Sequence, residues 1–204
     1  MDSEARIVAS ALGADADLGL PPLAPERVRE IIGLGLPEAV ARLYPEGDDA
    51  FARAYMERYR HHFLVADPTP MPLFEGVEAA LRDLDAAGYL LAVATGKARR
   101  GLDRALAETG LGGLFVATRC ADECFSKPHP QMLLELMELT GAEPAETLMV
   151  GDTEFDMAMA ANAGVGAVAV SYGVHACERL LPHGPLACIH HPRDRKGVLD
   201  QRKP

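Results

Sequence analysis

Three short polar segments, each read at a strand end, carry the residue types that phosphoryl chemistry needs: Thr95-Gly96-Lys97, Ser126-Lys127-Pro128 and Gly151-Asp152-Thr153-Glu154-Phe155-Asp156. In the third, Asp152 and Asp156 are four residues apart, a spacing that lets both carboxylates face one side of a helix start. A hard cation such as magnesium takes oxygen ligands and is usually held by one or two protein carboxylates together with substrate phosphate. Read alone, Asp152 is better explained as the cap of the helix that follows. Lys127 changes the balance, because an ammonium can cancel carboxylate and phosphate charge. The Thr95 hydroxyl and the Gly96 amide can hold a phosphoryl oxygen. Phosphoryl transfer asks for little more than an in-line nucleophile and a general acid.

The elements that must position these segments alternate in type. A helix over 75–87 leads to an apolar run, Tyr89 to Ala94, that ends in Thr95-Gly96; its unbroken apolar character predicts a strand buried on both faces. Helix 98–109, strand Leu114 to Ala117, helix 130–140, strand Thr147 to Val150 and helix 154–163 follow. Strand Gly166 to Val170, a short helix near 176–181 and strand Ala187 to Ile189 complete the series. Such alternation predicts a parallel sheet covered by helices on both faces, with ligands bound beyond the carboxyl ends of the strands.

Upstream the chain reads as helical: Glu4 to about Leu12, then Pro25 to Ile32 with Pro25 in the first turn, then a short helix after Pro37 through Tyr44. A longer helix capped by Asp48 or Asp49 carries Phe51, Tyr55, Tyr59 and Phe63 at helical spacing, as a bundle face does. Pro68, Pro70 and Pro72 mark an extended linker and a domain boundary. Residues from Arg193 to Pro204 read as a polar, frayed tail.

Composition removes several function classes. The chain has 204 residues, 49% apolar and 25% charged, and no apolar run reaches membrane-spanning length, so a membrane role is not expected and the cytoplasm is the default location. A net charge of −10 with scattered basic residues argues against nucleic acid as a partner. Cys120, Cys124, Cys177 and Cys188 are too few for a disulfide scaffold and read as reduced thiols. A zinc site combining them with His175, His190 or His191 matches no familiar spacing.

The three segments, in this order and spacing, resemble motifs two, three and four of the haloacid dehalogenase superfamily, and the helical segment before the prolines resembles that family's small cap. The whole is similar to the phosphoglycolate-phosphatase branch. The resemblance implies an α/β fold: a three-layer, parallel-sheet haloacid dehalogenase-like (Rossmannoid) core with a helical cap. Residues 1–13 would begin the cap connection, 14–70 form the cap, 71–194 the core and 195–204 the tail. It further implies a magnesium-dependent phosphatase, monomer or homodimer, acting on a small phosphorylated metabolite such as a phosphoglycolate-like ester through an aspartyl-phosphate. Thr95 and Lys127 would be catalytic, and Thr95, Gly96, Lys97 and Lys127 would bind phosphate. Asp152 would ligate Mg2+ directly, with Asp156 supporting the metal.

The family's first motif, which supplies the nucleophilic aspartate after a central strand, is matched only in its last three positions by Met1-Asp2-Ser3. Asp2 therefore reads as local structure. The first core strand is expected to be missing, Met1 to be an internal methionine of a longer protein, and the chain as given to be nearly inactive. The alternative is a short form that binds a phosphate ligand as a regulatory module. A pyrophosphatase, phosphonate hydrolase or phosphomutase would use the same scaffold, and Arg27, Arg29 or Arg42 could meet a substrate carboxylate.

Overall fold

Each of the principal helices begins or ends where its sequence supplies the chemistry for it. In the computed structural model, which describes residues 1–200, the first helix α1 spans Glu4–Asp17 and is longer than its expected end near Leu12. The alanine-rich run carries the helix on. Gly13 interrupts that run because the His62 ring lies against it: a Cβ there would stand 2.6 Å from the ring. Pro25 opens α2 (Pro25–Arg29), and Pro37 lies in the first turn of α3 (Leu36–Leu43). Asp48 caps α4 (Asp49–His61), its carboxylate accepting the Phe51 amide at 2.8 Å. A single π-helical turn, His62–Ala66, leads from α4 into the proline-rich segment.

These helices bury one another. Ala11, Val28, Ile31 and Leu43 form one apolar cluster, and Ala14, Val40 and Tyr55 another. Asp15, fully buried between them, accepts hydrogen bonds from the Leu23 amide and the Tyr44 hydroxyl. Arg6 is also buried and donates to the carbonyls of Thr69 and Phe63, at 2.6 and 3.5 Å, while the Asp2 amide donates to Pro72. The start of α1 is thereby bound to the segment that leads from the helical layer into the rest of the molecule.

The remainder is the predicted α/β alternation: α5 (Val77–Ala86), β1 (Leu91–Thr95), α6 (Arg99–Thr109), β2 (Phe115–Cys120), α7 (Gln131–Thr140) and β3 (Leu148–Gly151). Next come α8 (Glu154–Ala163), β4 (Gly166–Val170), α9 (Cys177–Leu180), β5 (Ala187–Ile189) and α10 (Arg195–Asp200). All strand pairs are parallel. Met132, Met137, Met157 and Met159 from α7 and α8 fill the main core with Met149 and Ala169 of the strands. Methionine suits this position because its flexible thioether fills irregular gaps between helix and sheet.

The sheet is in two parts. β1 pairs with β2, and β3 with β4 and β5; among the described residues no strand joins the two, so β1 and β3 each present an edge without ladder partners. This changes the burial expected for β1. None of Leu91–Thr95 is fully buried, whereas four of five residues of the equally apolar β4 are. Burial of a parallel strand requires neighbours on both sides as well as helices on both faces, and β1 has a neighbour on one side only.

Two further expectations are corrected. Cys177 and Cys188 are joined as a disulfide, with Cα atoms 6.1 Å apart, because the start of α9 lies beside β5; Cys120 and Cys124 are free. The tail expected to fray is ordered in part. Arg195 of α10 pairs with Asp83 of α5 at 2.9 Å, and Val198 packs against the cluster of Val168, Val170 and Ile189; residues 201–204 of that tail lie outside the described residues. Among the described residues no helix is long and apolar enough to cross a membrane.

Candidate active site

Thr95 closes β1, Lys127 lies in the loop between β2 and α7, and Asp152 follows β3 directly. Parallel strands place their carboxyl ends at one edge, and here all the residues singled out in the sequence, Thr95, Gly96, Lys97, Lys127, Asp152 and Asp156, line one cavity of about 1030 Å³. The cavity runs from the gap between β1 and β3 to the underside of the helical layer, where Ile32, Leu34 and Phe63 close it.

Lys127 and Asp156 are its most deeply set charged pair. The ammonium reaches Asp156 Oδ1 at 2.6 Å, with the side chains 7% and 4% exposed. Asp156 Oδ2 accepts from the Thr153 amide at 3.1 Å and the Thr153 hydroxyl at 2.8 Å, so both of its oxygens are engaged. The sequence spacing suggested that Asp152 and Asp156 present a pair of carboxylates to one cation. Asp156 also belongs to a capping box with Thr153 at the start of α8 and anchors the lysine.

Asp152 is not the helix cap; Thr153 is. Asp152 Oδ2 accepts the Val174 amide at 3.0 Å, and its backbone carbonyl accepts the His175 amide at 3.0 Å. Gly173 permits this approach, since a Cβ there would stand 2.1 Å from that of Asp152. Asp152 Oδ1 accepts no hydrogen bond among the described residues. Burial, and then the facing charge of Asp156, push this carboxyl above its ordinary range, with the Val174 amide and Lys127 opposing. A cation beside this carboxyl would offset both effects. The donor set fits one magnesium ligand from Asp152, and no cluster of three or more acidic, histidine or cysteine ligands occurs among the described residues. Magnesium characteristically keeps several waters and binds through one or two carboxylates plus phosphate.

Thr95 and Lys97 bring hydrogen-bond donors to another side of the cavity. The Thr95 hydroxyl accepts the Lys97 amide at 3.1 Å, and its own proton has no acceptor among the described residues. Lys97 Nζ touches the Ser3 hydroxyl at 3.2 Å and the face of Phe63 at 5.1 Å, and is in no ion pair among the described residues. Burial lowers its ammonium to about 8; Arg6 adds repulsion and Asp152 opposes it.

The loop Gly33-Leu34-Gly35 from the helical layer sits directly on this edge. The Gly35 amide donates to Ser126 Oγ at 2.7 Å. A Cβ on Gly96 would stand 2.7 Å from the Leu34 carbonyl oxygen and 2.8 Å from that of Gly33. Two backbone oxygens cannot yield as a side chain can, so Gly96→Ala is expected to cost about 1–3 kcal/mol, read as a lower urea midpoint. Faster amide exchange across residues 32–35 should accompany it, and an unchanged midpoint with unchanged exchange would refute the contact.

Several contacts around the site were not legible in sequence. The Tyr172-Gly173-Val174 turn after β4 holds Asp152, and a glycine just past a strand end at the same sheet edge was its signal. His175 accepts the Glu154 amide through Nδ1, and burial with Arg179 nearby lowers its pKa and keeps the ring neutral. Arg179 of α9 bridges Glu30 of the helical layer and Glu154 of α8, each at 2.6 Å. No sequence spacing announces a bridge among three elements. Arg27, Arg29 and Arg42 do not line the cavity.

Residues 1–170 match the family described as "Haloacid dehalogenase-like hydrolase". The chain belongs to this family. A protein of Dickeya dadantii, "Probable phosphatase IndB", is 36% identical over 195 residues, 93% of this chain and 84% of that one. The "Phosphoglycolate phosphatase" of Chromobacterium violaceum is 34% identical over 166 residues, 76% of this chain and 73% of its own. A crystal structure of a hydrolase from Pseudomonas syringae superposes with a TM-score of 0.87 over 98% of this chain and 93% of that one, at 23% identity. The haloacid dehalogenase-like fold is therefore shared far beyond sequence likeness.

Proposed function

We propose that this haloacid dehalogenase-like hydrolase is built to take the phosphoryl group of a small phosphate monoester, with magnesium held by Asp152. The observation that carries the reading is the convergence of Thr95, Lys97, Lys127 and Asp152 on one cavity, with Asp156 fixing Lys127 from behind. The naming of relatives as phosphatases, phosphoglycolate phosphatase among them, supports the same class. The helices α1–α4 act as the cap over the site and exclude water from it.

In this reading the Thr95 hydroxyl and Gly96 amide donate to phosphoryl oxygens, and Lys127 offsets their charge from a site already desolvated, where such contacts are strongest. Lys97 adds a second cation on the same side. The metal, when bound, supplies further charge neutralisation at a phosphoryl oxygen. Asp156 orients Lys127.

Turnover by residues 1–204 alone should be close to absent. Phosphoryl transfer to an aspartate needs a free carboxylate facing the phosphate, and the cavity's other carboxylates are engaged elsewhere or exposed. Asp2 accepts the Glu4 amide, Glu4 pairs with Arg29, Asp122 accepts the Arg99 amide, and Glu57 is open to solvent. Calorimetric titration with inorganic phosphate, with and without Mg2+, alongside a p-nitrophenyl phosphate assay, tests both parts. Expected are magnesium-dependent phosphate binding and no turnover above background. Phosphate binding that ignores magnesium, or is absent, overturns the site reading; rapid turnover overturns the missing-nucleophile reading alone.

A further inference from the structure

We propose that this site, taken as the phosphate-monoester site above, prefers a leaving group that is apolar and uncharged over one carrying a carboxylate. The helical layer contributes Leu34, Leu36, Pro37, Phe63 and Leu64 to the cavity that Thr95 to Lys97 also line, with the Phe63 ring over Lys97 Nζ. Leu34 is held over the loop by backbone contacts: the Leu34 and Gly33 carbonyls close on Gly96, and the Gly35 amide is bound to Ser126. Whatever is esterified to a phosphate seated between Thr95 and Lys127 meets this wall.

The cations that would select a carboxylate are turned elsewhere. Arg27 donates to the Leu43 carbonyl, Arg29 pairs with Glu4 and Glu26, and Arg42 lies 5.5 Å over the Phe155 ring. Arg60 and Arg100 do line the cavity, but both are exposed, and Glu57 stands one turn from Arg60 on α4. A solvated guanidinium adds little to the affinity for an anion. Lys97, Lys127 and the Met1 ammonium, which faces Asp152 and Lys97, belong to the phosphate end. A carboxylate on the leaving group would lose water without gaining a buried partner, whereas an alkyl or aryl group removes apolar surface from water against the wall.

The test is equilibrium binding, which needs no turnover. Calorimetry in Mg2+ and about 0.15 M salt, to screen the acidic surface, compares inorganic phosphate with phenylphosphonate, 2-hydroxyethylphosphonate and phosphonoacetate. Phenylphosphonate should bind at least about tenfold more tightly than either of the others, equivalent to ~1.4 kcal/mol. Leu34→Arg, and independently Leu64→Arg, should narrow or reverse its margin over phosphonoacetate while inorganic phosphate binds as before. Two variants on different segments guard against one of them folding poorly. Phosphonoacetate or the hydroxyethyl compound binding as tightly as phenylphosphonate overturns the proposal with the phosphate site intact. Failure of inorganic phosphate and all three phosphonates to bind overturns the phosphate-site reading, and this proposal with it.

Discussion

Lys127→Met is expected to remove about 3–5 kcal/mol of folding stability, because it strips the cation from a pair in which neither side chain is more than 7% exposed. The methionine fills similar volume, so the loss reports the stranded Asp156 charge more than a cavity. Thr153 still donates to Asp156 through its amide and hydroxyl, which favours the lower end of the range. Adding Asp156→Asn to that variant should recover a large part of the loss: the amide oxygen keeps an acceptor for the helix cap, and the unpaired charge is gone. Urea unfolding of the wild type, both single variants and the double variant gives the coupling directly, with ~1–3 kcal/mol expected. A loss below about 1 kcal/mol for Lys127→Met would mean that water reaches the pair and that the lysine is not fixed by its partner.

Asp152→Asn should separate stability from binding in the opposite way. The asparagine oxygen can still accept the Val174 amide, while the charge that burial and Asp156 disfavour is removed. The metal-free protein should therefore be as stable as the wild type, or more stable by about 1 kcal/mol. Magnesium-dependent phosphate affinity should fall by on the order of 100-fold or more, since the change removes a proposed direct ligand and not merely a supporting contact. Thermal melts without metal and calorimetry with Mg2+ and phosphate provide the two readouts. Affinity within about threefold of wild type would take Asp152 out of the metal role.

The parts of this molecule that were legible in sequence are those in which chemistry follows local order. Thr95, Lys127 and Asp152 each stand at or beyond the end of an apolar run, and strands that alternate with helices must deliver such ends to one edge. What escaped was decided by partners distant along the chain. The engagement of Asp156 with Lys127 spans 29 residues, and the four-residue spacing of Asp156 from Asp152 does not announce it. β1 was read as buried from its composition, yet composition does not say whether a neighbouring strand stands on each side. The arginines Arg27 and Arg29 looked available because sequence does not show that a carbonyl or carboxylate already holds them. Cys177 and Cys188 are eleven residues apart, and only the return of β5 beside α9 brings them together.

Arg6 gives the helical layer a mechanical character. By gripping the carbonyls of Thr69 and Phe63 from α1, with the Asp2 amide on Pro72 beside it, it pins the start of α1 to the proline-rich segment that leaves the layer. A connection tied to α1 in this way is stiffer than its prolines alone would make it. Polar ties across the cleft, Gly35 to Ser126, Arg179 to Glu30 and Arg104 to the Leu64 carbonyl, add to it. Together they set the Leu34 carbonyl in one seat above Gly96.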